Sequence, residues 1–298
     1  MLAKITIIWF AASYGVALLL EVSRLFFRLP VRLIVMLGFG AAGLFAHTVF
    51  LWNEAQPGIA AGVPFSSWHL WFLLAAWILA ALYLLLAATR PQTSIGIFML
   101  PVILALVAAG HFADHQSFGD DEARTVWHRV HVVTLLLGTV TMALGFVAGL
   151  MYLVQSYRLK QKLPPRAGLR LPSLEWLQSL NKQTLYLSTL FVAGGLFAGI
   201  MLNLLKRGVP WTDPLTLASG GLFAWLLAAT LFELLYKPAQ QGRKVAYLTV
   251  ANFACLVAVL GMAVFSGSQH AAPKEARVIP IAASTLPATW LNGSGVSP

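Results

Sequence analysis

Apolar residues fall in eight long runs separated by short polar breaks: Ile5–Leu20, Leu33–Trp52, Trp68–Thr89, Ser94–Ala113, Val126–Tyr157, Thr184–Leu205, Leu215–Tyr236 and Val245–Ser266. Each is close to the roughly 20 residues that carry a helix across a bilayer. The pattern therefore predicts an all-α, polytopic membrane bundle of about eight helices. The chain is organised around Thr125–Lys162, whose middle, Val132–Val154, is apolar or small throughout. Trp127, His128 and His131 stand at one mouth of this helix and Arg158, Lys160 and Lys162 at the other. That asymmetry gives it a direction in the membrane.

Composition agrees. Of the 298 residues 59% are hydrophobic and only 10% charged, against roughly 25% charged in a soluble domain. The net charge of +10 raises nucleic acid as a partner, but the cations cluster in short loops between apolar runs, as the positive-inside rule requires. No nucleic acid partner is expected; the lipid bilayer is. The connections after runs one, three, five and seven hold thirteen of the twenty Lys and Arg residues, among them Arg24, Arg90, Arg158, Arg170 and Lys182. The other side holds seven, together with the acidic loop around Asp120. Both termini are thus expected outside, in a multi-pass protein of the inner (cytoplasmic) membrane. The first run reads as a retained helix, residues 1–270 as the bundle, and residues 271–298 as a disordered polar outer tail. The single Cys255 lies in an apolar run, which excludes a disulfide framework and covalent haem attachment through CxxCH.

Two loops have content of their own. In Leu163–Lys182 a Pro-Pro break precedes Ser173, which can cap a short helix, SLEWLQSLNKQ. It reads as an amphipathic segment lying on the cytoplasmic surface, with a plain polar connector as the simpler reading. The outer loop KRGVPWTDP carries Trp211 and Asp213.

With this topology all seven histidines fall on the outer side: His47, His69, His111, His115, His128, His131 and His270. Neutral imidazole ligates haem iron well, and two from different helices can clamp it axially. His128 and His131, three apart, share a helix face, so they cannot grip one iron from opposite sides. Each needs a partner elsewhere, and His47 and His270 are the candidates. Trp52, Trp68, Trp71, Trp127 and Trp211 lie at the same level and could stack on a porphyrin, although tryptophan at an interface is ordinary belt behaviour. His69, His111 and His115 are each read first as plain interfacial residues. Zinc competes as an occupant. The chain has no HExxH, and no Ser-His-Asp arrangement stands out.

Four stretches resemble the cytochrome c assembly family, the CcsA/CcmC-type haem-handling membrane proteins, and within it the HemX-like branch. TVWHRVHVVTLLLGTVTMALGFVAGLMYL is similar to the helix that bears that family's first outer haem-ligating histidine, which places the role on His131. RLKQKLPPRAGLRLPSLEWLQSLN resembles the cytoplasmic loop of HemX-like members, and VPFSSWHLWFLLAAWILAALYLLL the segment after the second helix. GRKVAYLTVANFACLVAVLGMAVFSGSQH resembles the last helix, with His270 where the second outer histidine stands. The likeness runs from about Leu33 to His270. The family's tryptophan-rich outer loop is reduced here to PWTDP, with Trp211 and Asp213 as its remnant. The family's intramembrane histidine after that loop is replaced by a stretch carrying Glu233.

The resemblance implies non-covalent haem b with His131 and His270 as axial ligands, and His47 and His128 as a second set. It implies haem handling at the outer face during cytochrome c maturation, as an assembly factor or haem-lyase component rather than an enzyme with turnover of its own. The implied partners are haem, a second cytochrome c assembly membrane protein and apocytochrome c. Two alternatives stay open: a non-catalytic HemX-like regulator or scaffold of haem biosynthesis, and a haem-b electron-transfer subunit.

Overall fold

The computed structural model describes residues 6–26, 31–60, 62, 67–115, 125–162, 169–206, 210–235 and 242–265. All the regular structure among them is helical: α1 Ile7–Ser23, α2 Arg32–Ala60, α3 Trp68–Thr89, α4 Gly96–Phe112, α5 Val126–Lys160, α6 Leu174–Lys206, α7 Pro214–Leu235 and α8 Gly242–Phe265. Six of the eight are long and apolar enough to cross a membrane; α1 and α4, at 17 residues each, are shorter apolar helices. The chain is a multi-pass membrane helix bundle.

The helices close into two rings. In the first, α1 packs on α2, α2 on α3, α3 on α4 and α4 back on α1; in the second, α5, α6, α7 and α8 do the same. The long α5 joins them by touching α3 and α4. With lipid as apolar as the helices themselves, close backbone approach and buried polar pairs hold such interfaces. Gly149 lets α8 approach α5: a Cβ there would sit 2.7 Å from Thr249 Oγ1 and 2.9 Å from the Ala246 carbonyl oxygen. Thr249 in turn donates to Asn181 Oδ1 on α6 at 3.1 Å.

Two sequence expectations are corrected. Run two does not end at Trp52, since α2 continues through Pro57 to Ala60. His47 is therefore thirteen residues from the helix end, about 20 Å at 1.5 Å per residue, rather than near an outer terminus. The segment SLEWLQSLNKQ does not lie on the surface as a separate helix. Ser173 does cap it, accepting from the Trp176 amide at 3.3 Å, but it is the opening of α6. Leu177, Asn181 and Leu185 repeat every fourth residue and are all buried, so one stripe faces the bundle continuously into the span. An apolar stripe with partners to bury it joins the core instead of the interface.

The short connections at the cation-rich end are knitted together. Arg24 donates to the carbonyls of Pro91, Gln92 and Thr93, Arg170 to Gln92 Oε1, and Arg90 lies 4.3 Å over the Trp176 ring. The Ser94 amide donates to the Arg170 carbonyl at 2.8 Å, which puts the starts of α4 and α6 at this end. The ends of α4 and α6, and the starts of α3 and α5, consequently share the other.

Candidate functional site

That other end carries His69, His111, His115, His128 and His131. His131, in the second turn of α5, is half-buried. Its Nδ1 lies 2.7 Å from the Gly195 carbonyl oxygen of α6. A carbonyl oxygen only accepts, so Nδ1 must carry the proton, and in the neutral ring the lone pair then sits on Nε2. Helix α6 can come this close because its facing residues are glycines. A Cβ on Gly199 would stand 3.0 Å from both Cε1 and Nδ1 of the imidazole. A ligating histidine typically has its other ring nitrogen fixed in this way, which sets tautomer and orientation. Trp127 packs edge-on against Phe197 of α6, ring centres 5.8 Å apart, so aromatic surface adjoins the same helix pair. This donor and its setting fit haem iron.

Reading the sequence by histidines alone missed Gly195 and Gly199. Their signal is the small-xxx-small spacing within α6, the mark of a helix that admits a close neighbour.

The remaining expected residues are distributed as follows. His128 lies one turn before His131 on α5 and is half-buried. His47 is fully buried; its ring stacks on Phe10 of α1 with centres 4.1 Å apart, and Nδ1 is 3.3 Å from the Tyr14 hydroxyl. The described ring contacts of His47 thus lie within the first ring, whereas His128 belongs to the second. His270 lies outside the described residues, as does the tail expected from 271, so the His131–His270 pair is not on view. Trp211 is exposed. Asp213 is buried, and its Oδ2 accepts from the amides of Leu215 and Thr216 at 3.1 and 3.3 Å. It is the N-cap of α7, taking up amides that the first turn of a helix leaves unpaired. Glu233, buried in α7, pairs with Lys182 of α6 at 2.8 Å and accepts from the Tyr186 hydroxyl. Among the described residues no group of three or more His, Cys, Asp or Glu gathers as a metal site. A zinc centre of that kind therefore has no support there.

No curated protein and no solved structure matches the chain. Residues 68–268 match the family described as Cytochrome C assembly protein, a segment that begins at the first turn of α3 and runs past the end of α8. It takes in the α5–α6 pair with His131, Gly195 and Gly199. With two-thirds of its length in that match and a membrane helix bundle for its fold, the chain belongs to the cytochrome c assembly protein family.

Proposed function

We propose that this protein binds haem b at the outer face of the inner (cytoplasmic) membrane and hands it on during cytochrome c maturation, as a HemX-like member of its family. The observation that carries the reading is the His131 imidazole, held through Nδ1 by the Gly195 carbonyl, which puts the lone pair of the neutral ring on Nε2. His131 would hold the haem iron, with His270 as its partner ligand. Bound haem would supply an iron that imidazole nitrogen ligates and that shows sharp visible bands when reduced. The chain's own work is to hold and orient the group between helices and to shield it from water. The partners are a second cytochrome c assembly membrane protein and apocytochrome c.

The test is the absorbance spectrum of the detergent-purified full chain, oxidised and dithionite-reduced, beside His131→Ala. A Soret band with sharp reduced α and β bands, lost in the variant, supports the reading. A variant that keeps both its haem content and the yield of cytochrome c sinks it. The alternative of a regulator docking through a cationic cytoplasmic loop draws less support. Arg158 and Arg170, which flank that loop, bond to the Leu169 carbonyl and to Gln92 within the chain.

A further inference from the structure

Ionisable side chains inside a bilayer are costly, and they mark ion paths and proton relays. In the first ring four titratable residues are each at most 2% exposed: Glu21, His47, His69 and Tyr83. Each has an atom without a hydrogen-bond partner, namely Glu21 Oε2, His47 Nε2, His69 Nε2 and the Tyr83 hydroxyl. One such atom asks for an explanation; four in one ring of helices ask for a common one. Two of these helices, α1 and α2, precede the residues that match the family.

The four stand in order from one side of the bundle to the other. Glu21 and Tyr83 meet at the cation-rich end, against the first residue of α4. A Cβ on Gly96 would be 2.8 Å from Tyr83 Cε2 and 2.9 Å from Glu21 Oε1. The cations facing this carboxylate are Arg24, with Nη1 4.0 Å from Oε2, and Arg32. Helix α2 orders the next groups: Tyr83 lies against Gly40, Tyr14 against Gly43, and His47 follows one turn later. His47 Nδ1 is 3.3 Å from the Tyr14 hydroxyl, and the Leu73 backbone of α3 lies beside the ring without closing a bond to Nε2. One turn before Leu73 on α3 is His69. Its Nδ1 lies 2.7 Å from the Gly110 carbonyl oxygen, so Nδ1 carries the proton and Nε2 is left to accept. His111, His115 and Glu54 are the titratable groups that face it. Tyr83 and His69 are fourteen residues apart on α3, about 21 Å along its axis, in a hydrocarbon core of about 30 Å.

We propose that the first ring is a proton path, joining the histidine-bearing end to the cation-rich end through His69, His47, Tyr14, Tyr83 and Glu21. Hydrogen-bonded links are about 2.8 Å long, so one water bridges two groups roughly 5.5 Å apart. Single waters, rather than an open pore, complete the line. The step is proton exchange alone. An O–H or N–H bond breaks on one group as one forms on the next, and a proton taken from water on one side returns to water on the other. His69 accepts and releases at Nε2, His47 accepts on one nitrogen and releases from the other, and Glu21 alternates between carboxylate and carboxylic acid. This path stands independently of the haem reading.

The experiment places the purified full chain in sealed lipid vesicles with the pH dye pyranine inside. A K+ gradient with valinomycin makes the lumen negative, and proton entry is read as its acidification. Wild type is expected to acidify the lumen faster than protein-free vesicles do. Glu21→Gln should cut that excess about 100-fold, the lower end of what a positioned proton-transfer group contributes. Tyr83→Phe should act by a similar factor at unchanged melting temperature, because the hydroxyl it removes has no partner to lose. It therefore decides the matter if Glu21→Gln does not fold. Hemin titration should be unchanged in both variants, which keeps this test apart from that of His131. Wild-type vesicles no faster than protein-free ones overturn the path, and so does an excess flux that survives Tyr83→Phe. Flux and hemin binding that fall together in Tyr83→Phe would show general disruption and overturn it as well.

Discussion

Gly199→Ala separates stability from ligand binding with a single methyl group. The added Cβ would sit 3.0 Å from Cε1 and Nδ1 of His131, nearer than carbon atoms settle at about 3.5–4.0 Å. The imidazole must give by a few tenths of an ångström, and the direction of push is away from α6. That movement lengthens the 2.7 Å bond from Nδ1 to the Gly195 carbonyl, the contact that fixes tautomer and ring plane. Disturbing such an outer contact typically costs about 10–100-fold in metal affinity, or roughly 1.4–2.7 kcal/mol. The helix itself should not suffer, because alanine is favoured over glycine in a helix interior by about 1 kcal/mol. The expected result is a weaker hemin titration at unchanged or slightly raised melting temperature. The assay is Soret titration of the detergent-purified variant beside wild type, with thermal unfolding followed by circular dichroism. Affinity equal to wild type would refute the claim that α6 positions His131, and a melting temperature that falls in step with affinity would mean the methyl disrupts packing in general.

Two further outcomes concern α7. Lys182→Met leaves the buried Glu233 carboxylate without its cation, keeping only the Tyr186 hydroxyl. It should cost toward the lower end of the roughly 3–5 kcal/mol seen for broken buried pairs, because Lys182 is partly exposed. Pairing it with Glu233→Leu should restore most of the melting temperature, and a double variant no better than the single would argue against this ion pair as the cause. Asp213→Ala should lose about 1 kcal/mol of helix-cap stability, whereas Asp213→Asn should keep both the cap and hemin binding. Loss of hemin binding in Asp213→Asn at unchanged stability would show that the carboxylate does more than cap α7.

The sequence by itself determined the membrane class, the number of helices and the family resemblance. These depend on the lengths of apolar runs, on charge in the loops and on the order of local motifs, all of which are properties of one segment at a time. It also marked His131, because an imidazole at the mouth of a long apolar helix is visible without knowing its neighbours. It could not say which nitrogen of a histidine is held, or by what. His131 and His69 each meet a carbonyl more than forty residues away, Gly195 for one and Gly110 for the other, and hydrogen bonds across helices depend on which faces meet. The same limit explains the misplaced surface helix. Leu177 and Asn181 look half-polar in isolation, and only the packing of α6 into the bundle makes their stripe a buried one. Asp213 belongs to the loop motif that the family resemblance marks, and only the structure shows that its carboxylate also takes the amides of Leu215 and Thr216 at the start of α7. Helix content follows from local composition, because each helix satisfies its own backbone within the membrane. The identity of a ligand follows from tertiary contact, because an imidazole's chemistry is set by what its other nitrogen touches.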